Sequence, residues 1–185
     1  FVTSSLQTLQ YQKRIKKEDI KSKLSQISLF TNQTICELRD TIWAMNKEKI
    51  LLSDLIDRLN NYINRLDIKE NLSLTISDNL KSELEKIIFN AVNGIQIYRI
   101  IQESINNAVK HAETKNISIN FDYKSQHIEV KIDDDGYGFD IDQAKNGNGH
   151  NNMKKRANQL KAVLKIHSEK ETGTSIKLSL NPNNT

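Results

Sequence analysis

The sequence predicts an α+β fold: a two-layer α/β sandwich, one mixed sheet with helices on one face, preceded by an α-helical hairpin. Three observations lead there. Over the first fifty residues the apolar positions recur by threes and fours, the mark of a helical seam. Beyond them, that spacing exchanges repeatedly with strict apolar–polar alternation, as when helices and half-buried strands follow one another. Five of the six glycines (Gly136, Gly138, Gly147, Gly149 and Gly173) fall in the last third, so backbone freedom is concentrated there.

Taken in order, Leu24, Ile27, Thr31, Ile35, Leu38, Ile42 and Met45 make a near-heptad stripe. A polar break at Lys16–Asp19 separates it from an earlier helical piece with Leu6, Leu9 and Tyr11. An antiparallel hairpin over 1–50 accounts for both. One hairpin cannot bury two apolar faces, so a homodimer closing a four-helix bundle is expected, against the plainer reading of a hairpin packed on its own domain. Residues 51–185 form the second domain. Ser53 is placed to cap a helix bearing Leu55, Ile56, Leu59, Ile63 and Leu66. Asn71–Ser77 alternates at Leu72, Leu74 and Ile76 as a strand does, while Asp78–Asn93 fits neither period. A helix is expected from about Gly94 to Ala112, on Ile97, Ile100, Ile101, Ile105, Ala108 and Val109. Ile117, Ile119 and Phe121 mark one strand, and Ile128, Val130 and Ile132 the next. A Gly/Asn-rich stretch covers Gly136–Asn152, a helix returns over Met153–Leu160, and Val163–His167 and Ser175–Leu180 close the chain as strands.

Composition excludes several functions. Hydrophobic residues make up 37% and charged residues 27%, enough for a packed core. A single cysteine, Cys36, excludes an internal disulfide framework and a cysteine-based zinc site. No run approaches the roughly 20 apolar residues that cross a bilayer. The chain starts at Phe1 and reads as part of something longer. The net charge of +4 is spread among interleaved acids and bases, with no aromatic residues set within a basic patch. A direct nucleic-acid partner is therefore not expected.

Three segments carry chemistry. In Gln102-Glu103-Ser104-Ile105-Asn106-Asn107-Ala108-Val109-Lys110-His111, helical spacing puts Glu103, Asn107 and Lys110 or His111 on one face. Oxygen donors suit Mg²⁺ and a cation suits phosphate, although a solvated polar stripe would look the same. Asp133-Asp134-Asp135-Gly136-Tyr137-Gly138-Phe139 follows a strand, and its glycines let backbone approach a flat ligand while a carboxylate accepts from an exocyclic amine. A tight turn is the plainer alternative. A calcium loop is excluded, because Lys131 and Asp142 stand where ligand positions require other residues. Gly147-Asn148-Gly149-His150-Asn151-Asn152-Met153 runs into a helix, where free N–H groups suit phosphate, or is an ordinary loop. No Walker A sequence is present.

In order and spacing these segments resemble the boxes of two-component sensor histidine kinases with a Bergerat-type (GHKL) ATPase domain. The subgroup is that of nitrate and lipid-fluidity sensors, with a short dimerisation and phosphoacceptor hairpin. Arg99–Ala112 is similar to the N box, Asp134–Phe139 to the G1 box, Gly147–Ala157 to the G2 box, and Gly173-Thr174 to the end of the last box. Leu38–Asn46 resembles the end of the second dimerisation helix.

The resemblance implies ATP and Mg²⁺ as cofactors and a transfer of the γ-phosphoryl group to a histidine, for relay to a response-regulator receiver domain. It implies Glu103 beside the metal or assisting transfer, Asn107 on the metal, and Lys110 and His111 toward phosphates. Asp134 would accept the adenine amine, Gly136 and Gly138 would give the base room, Gly147 and Gly149 would flank the phosphates, and Thr174 would line the adenine end. It also implies a cytoplasmic portion of a protein anchored in the cytoplasmic membrane through segments outside this chain. Three departures stand out: His150 replaces the usual Leu, the last box has one Gly, and no histidine precedes His111 to serve as phosphoacceptor. This chain is therefore expected not to label itself. An anti-sigma-type serine kinase, and a non-catalytic docking module of the same fold, are the rival readings.

Overall fold

The computed structural model describes residues 17–45, 47–66, 71–112, 114–140 and 148–182. The chain divides between Asn46 and Lys47 into two units.

In the first unit, helix α1 runs Lys17–Met45. Its stripe shows Leu24, Ile35, Leu38 and Ile42 exposed. The earlier piece with Leu6, Leu9 and Tyr11 lies outside the described residues. The Lys17–Asp19 part of the expected break is helical, since Lys17 and Glu18 carry good helix propensity and no Pro or Gly interrupts the segment. Among the described residues, no helix is long and apolar enough to cross a membrane.

In the second unit, alternation decides the sheet. Ile117, Ile119 and Phe121 of β4 (Asn116–Lys124) are buried, as are Ile128, Val130 and Ile132 of β5 (His127–Asp134) and Ile176, Leu178 and Leu180 of β7 (Gly173–Leu180). With a period of two these side chains share one face, and that face carries the core. The strand order is β2-β4-β5-β7-β6, where β2 is Asn71–Ile76 and β6 is Val163–Glu169. β2 pairs with β4 in parallel; the other neighbours are antiparallel. The register sets Asp134 opposite Ile117 on one side and Thr174 on the other. At the far end, Ser125 and Gln126 turn β4 into β5 with φ of 51° and 63°. Two left-handed residues in succession are what a two-residue hairpin of this twist requires, even without glycine.

Helices α2 (Leu52–Ile63), α4 (Ala91–His111) and α5 (Asn148–Gln159) supply the other layer. α2 buries Leu52, Leu55, Ile56 and Leu59; α4 buries Ile97, Tyr98, Ile100, Ile101, Ile105 and Ala108; α5 buries Met153 and Ala157. Each such Ile or Leu contributes about 2 kcal/mol relative to exposure. α5 is fastened on α4 by Arg156 Nη1, which donates to Gln96 Oε1 at 2.5 Å, and by the Ser104 Oγ–Met153 Sδ contact at 3.5 Å.

Four local expectations change. Ser53 is not a cap: α2 begins at Leu52, and the Leu52 N–H donates to the Ile87 carbonyl at 2.9 Å. Asp78–Asn93 resolves into helix α3 (Asp78–Lys81), capped by Ser77, then strand β3 (Ile88–Asn90), then the start of α4. β3 pairs with β1 (Lys49–Leu51) in a small second sheet, so residues assigned to the hairpin as far as 50 belong to the α/β unit. α5 starts at Asn148, which puts Gly149 and His150 in its first turn and not in a loop.

Candidate functional site

Glu103 and Asn107 lie one turn apart on α4, both half-buried. The first turn of α5 covers them. A Cβ at Gly149 would overlap Oε1 of Glu103 and stand 3.6 Å from Nδ2 of Asn107. Only a residue without a side chain lets helix backbone come this close. The beginning of a helix exposes N–H groups and the positive end of its dipole, and here it faces the Glu103 carboxylate beside the Asn107 amide. Next to it the His150 ring stacks on Phe139, with centroids 4.8 Å apart and planes 25° apart. Burial and the neighbouring Lys154 push the His150 imidazole down, against the pull of Glu103.

The other end of α4 meets the turn that follows β5. The Tyr137 N–H donates to the Ala112 carbonyl at 2.6 Å, and a Cβ at Gly136 would overlap that same oxygen. Gly138 has φ +63, the left-handed conformation that glycine tolerates best. The Asp134 carboxylate accepts from Gly136 N–H at 3.0 Å and from the backbone and hydroxyl of Thr174. Burial pushes its carboxyl up, those hydrogen bonds pull it down, and the charge of Asp135 pushes it up further. Behind it Ser168 is buried: its Oγ accepts from Phe139 N–H at 2.9 Å, donates to the Gly173 carbonyl at 3.1 Å, and lies 3.1 Å from Thr174 Oγ1.

The next residue, Asp135, lies just past the end of β5 and turns its carboxylate to Thr114, Lys115 and Asn116. Its Oδ1 accepts from Thr114 Oγ1 at 2.6 Å and from the N–H groups of Lys115 and Asn116 at 2.8 Å each. Its Oδ2 accepts from Asn116 Nδ2 at 2.6 Å. These donors hold the carboxyl far below the usual aspartate range.

The structure thus groups Glu103, Asn107 and Gly149 at one place, and Asp134, Gly136, Gly138 and Thr174 at another. From Glu103 to Ala112 the helix axis runs roughly 13 Å, so the two groups suit an elongated ligand with chemically different ends. Lys110 is exposed on the last turn of α4. The His111 side chain and Gly147 lie outside the described residues. His127 and His167 are surface residues on β5 and β6. The sequence did not single out Asp135 or Ser168. The run Asp133-Asp134-Asp135 carried a usable signal, since alternation forces its members to opposite sides.

Among the described residues no group of three or more His, Cys, Asp or Glu could hold a metal. Glu103 and Asn107 offer one carboxylate and one amide oxygen, a donor set that fits Mg²⁺. That ion keeps several waters and takes its remaining ligands from substrate phosphates. A cleft of about 690 Å³ that reaches Asp134 is lined also by Asn71, Ser73, Ser118, Asp133 and Asp135. Its carboxylates repel a polyphosphate.

Residues 92–184 match the family model described as histidine kinase-, DNA gyrase B-, and HSP90-like ATPase. The sensor histidine kinase LiaS of Bacillus subtilis is 31% identical over 85 residues, 45% of this chain and 24% of LiaS. The sensor protein NarQ homolog of Haemophilus influenzae is 25% identical over 181 residues, 90% of this chain and 30% of that protein. The chain thus spans less than a third of these relatives. Among solved structures, the Acinetobacter baumannii histidine kinase AdeS superposes with a TM-score of 0.64 at 17% identity, covering 98% of this chain and 93% of that one.

Proposed function

Since the chain belongs to the histidine kinase-, DNA gyrase B- and HSP90-like ATPase family, we propose that residues 51–185 hold Mg·ATP as the catalytic portion of a sensor histidine kinase. The observation that carries this is the two-ended arrangement along α4: a carboxylate and a side-chain amide under a helix N-terminus at one end, a half-buried aspartate in a glycine turn at the other. Asp134 accepts the adenine amine, with Thr174 fixing the carboxylate and Gly136 and Gly138 leaving room for the ring. The N–H groups at the start of α5, with Gly149, receive phosphate oxygens. Lys110 and His111 add positive or hydrogen-bonding groups on the same helix, and Gly147 precedes the turn.

Glu103 and Asn107 would hold the metal, which when bound neutralises phosphate charge. Phosphoryl transfer asks little covalent chemistry of the protein, so positioning and charge do most of the work. In this reading Glu103 orients the reacting groups, and the Phe139–His150 stack helps exclude water. The unit that ends at Asn46, with its helix α1, forms the homodimer. The full protein passes its phosphoryl group to a receiver-domain aspartate and is held at the cytoplasmic membrane by segments outside this chain.

Calorimetric titration with ATP, with and without Mg²⁺, tests the reading. Micromolar-to-millimolar binding that is lost in Asp134→Ala is expected. A parent chain that binds no ATP overturns it.

A further inference from the structure

We propose that Asp135 is a positioning residue whose carboxylate clips the Asp134 turn to the turn at the end of α4, fixing the base-binding aspartate relative to Glu103 and Asn107. This rests on the ATP reading above. The clip is specific in its chemistry. Four donors converge on one carboxylate, two from side chains and two from successive backbone N–H groups. All four belong to Thr114–Asn116, where the chain passes from α4 into the first residue of β4. Bonds to an ionised acceptor are about twice as strong as neutral ones.

Two backbone bonds run alongside: Asp135 N–H to the Asn116 carbonyl at 3.3 Å, and Tyr137 N–H to the Ala112 carbonyl at 2.6 Å. The Thr114 hydroxyl also lies 2.9 Å from the Asn116 carbonyl, but its shorter approach is to Asp135. α4 carries the phosphate-end residues and β5 carries the base-end residue. One strand, β4, separates these elements in the chain, and Asp135 ties the end of β5 to the residues by which the chain leaves α4. Because Asp134 and Asp135 are consecutive, freeing one carboxylate moves the other.

A tie that served only stability would leave base recognition unchanged in the folded protein, and this separates the two roles. Guanine offers a carbonyl oxygen where adenine offers an amine, so a correctly held Asp134 repels it. The experiment measures ATP and GTP binding and the melting curve for the parent 185-residue chain, Asp135→Ala, Asp135→Asn and Thr114→Val. In Asp135→Ala, ATP binding is expected to weaken by about tenfold or more, with GTP little changed, so the preference collapses. Asp135→Asn restores most of the preference, because its amide oxygen still accepts at the Oδ1 position and the Asn116 amide can turn to meet it. Thr114→Val removes one donor and lowers the preference by a smaller factor.

If folded Asp135→Ala melts earlier but keeps the parent's ATP-over-GTP ratio, the positioning role is wrong. Should that variant not fold, an unchanged ratio in Thr114→Val overturns the role equally. A parent that binds neither nucleotide overturns the ATP reading and the clip together.

Discussion

Two glycines respond to the same substitution in opposite ways. Gly149→Ala puts a methyl against the tip of a flexible side chain, overlapping Glu103 Oε1 and lying 3.5 Å from its carboxyl carbon. The carboxylate must retreat by roughly 1 Å to regain ordinary contact. The fold loses little, because alanine is favoured over glycine in a helix by up to about 1 kcal/mol, which offsets the displacement. What moves is the half of the proposed metal-binding pair that carries charge. Gly136→Ala, by contrast, meets the Ala112 backbone, with its carbonyl carbon 2.9 Å away and no rotamer to absorb the clash. A cost of about 3 kcal/mol or more is expected, a large share of a domain stability of about 5–15 kcal/mol.

Urea denaturation and ATP calorimetry with and without Mg²⁺ separate the cases. Gly149→Ala should unfold at or above the parent's midpoint, while its Mg²⁺-dependent gain in ATP affinity falls about tenfold. Gly136→Ala should unfold well below it. If Gly149→Ala keeps the full Mg²⁺ effect, or is as unstable as Gly136→Ala, the close approach of α5 to Glu103 has been misread.

Two other predictions concern charge and assembly. Burial raises the Asp134 carboxyl above its ordinary 3.8, so the fold binds more protons than the unfolded chain above that value, and stability falls as pH rises through that window. ATP affinity follows the ionised form and should begin to fail on acidification at a higher pH than an ordinary aspartate would dictate. Asp135 is held below its ordinary 3.8, so its contribution is present above that value and is lost as pH falls below it. Denaturation curves across pH should show Asp134→Asn removing the first trend and Asp135→Asn the second; parallel profiles for both variants would contradict the assignment. On α1, Leu38 and Ile42 are 57% and 55% exposed. Leu38→Glu with Ile42→Glu should convert a sedimenting dimer to monomer while each chain still binds ATP, and a parent already monomeric at micromolar concentration would dispose of the seam as a dimer interface.

The parts of the fold that are legible in the sequence are those long enough to display a period. α4 and strands β2, β4, β5, β6 and β7 each repeat their pattern several times. β1 and β3 have three residues each and cannot show one. The start of α5 reads as loop because Gly-Asn-Gly-His has poor helix propensity; packing against Glu103 overrides it. Ser53 has the right chemistry for a cap, but the Ile87 carbonyl already engages the backbone there, and that partner is invisible to local reading. The same holds at the site. Spacing alone places Glu103 and Asn107 on one helical face. Ser168 serves Phe139 from twenty-nine residues away, and only the folded chain shows it.

The hairpin turn at Ser125 and Gln126 sits at the opposite end of β5 from the aspartates, roughly 26 Å of strand away. It nonetheless counts them. Asp133 and Asp134 end that strand and Asp135 follows it, and which one enters the pocket depends on how many residues the turn consumes. One residue more or fewer would slide β5 against both neighbours and exchange the faces of Asp134 and Asp135, turning the clip inward and the base acceptor outward. Every residue of the pocket would still be present, and its addresses would be wrong. A remote, solvent-facing two-residue bend is thus part of the specification of the site.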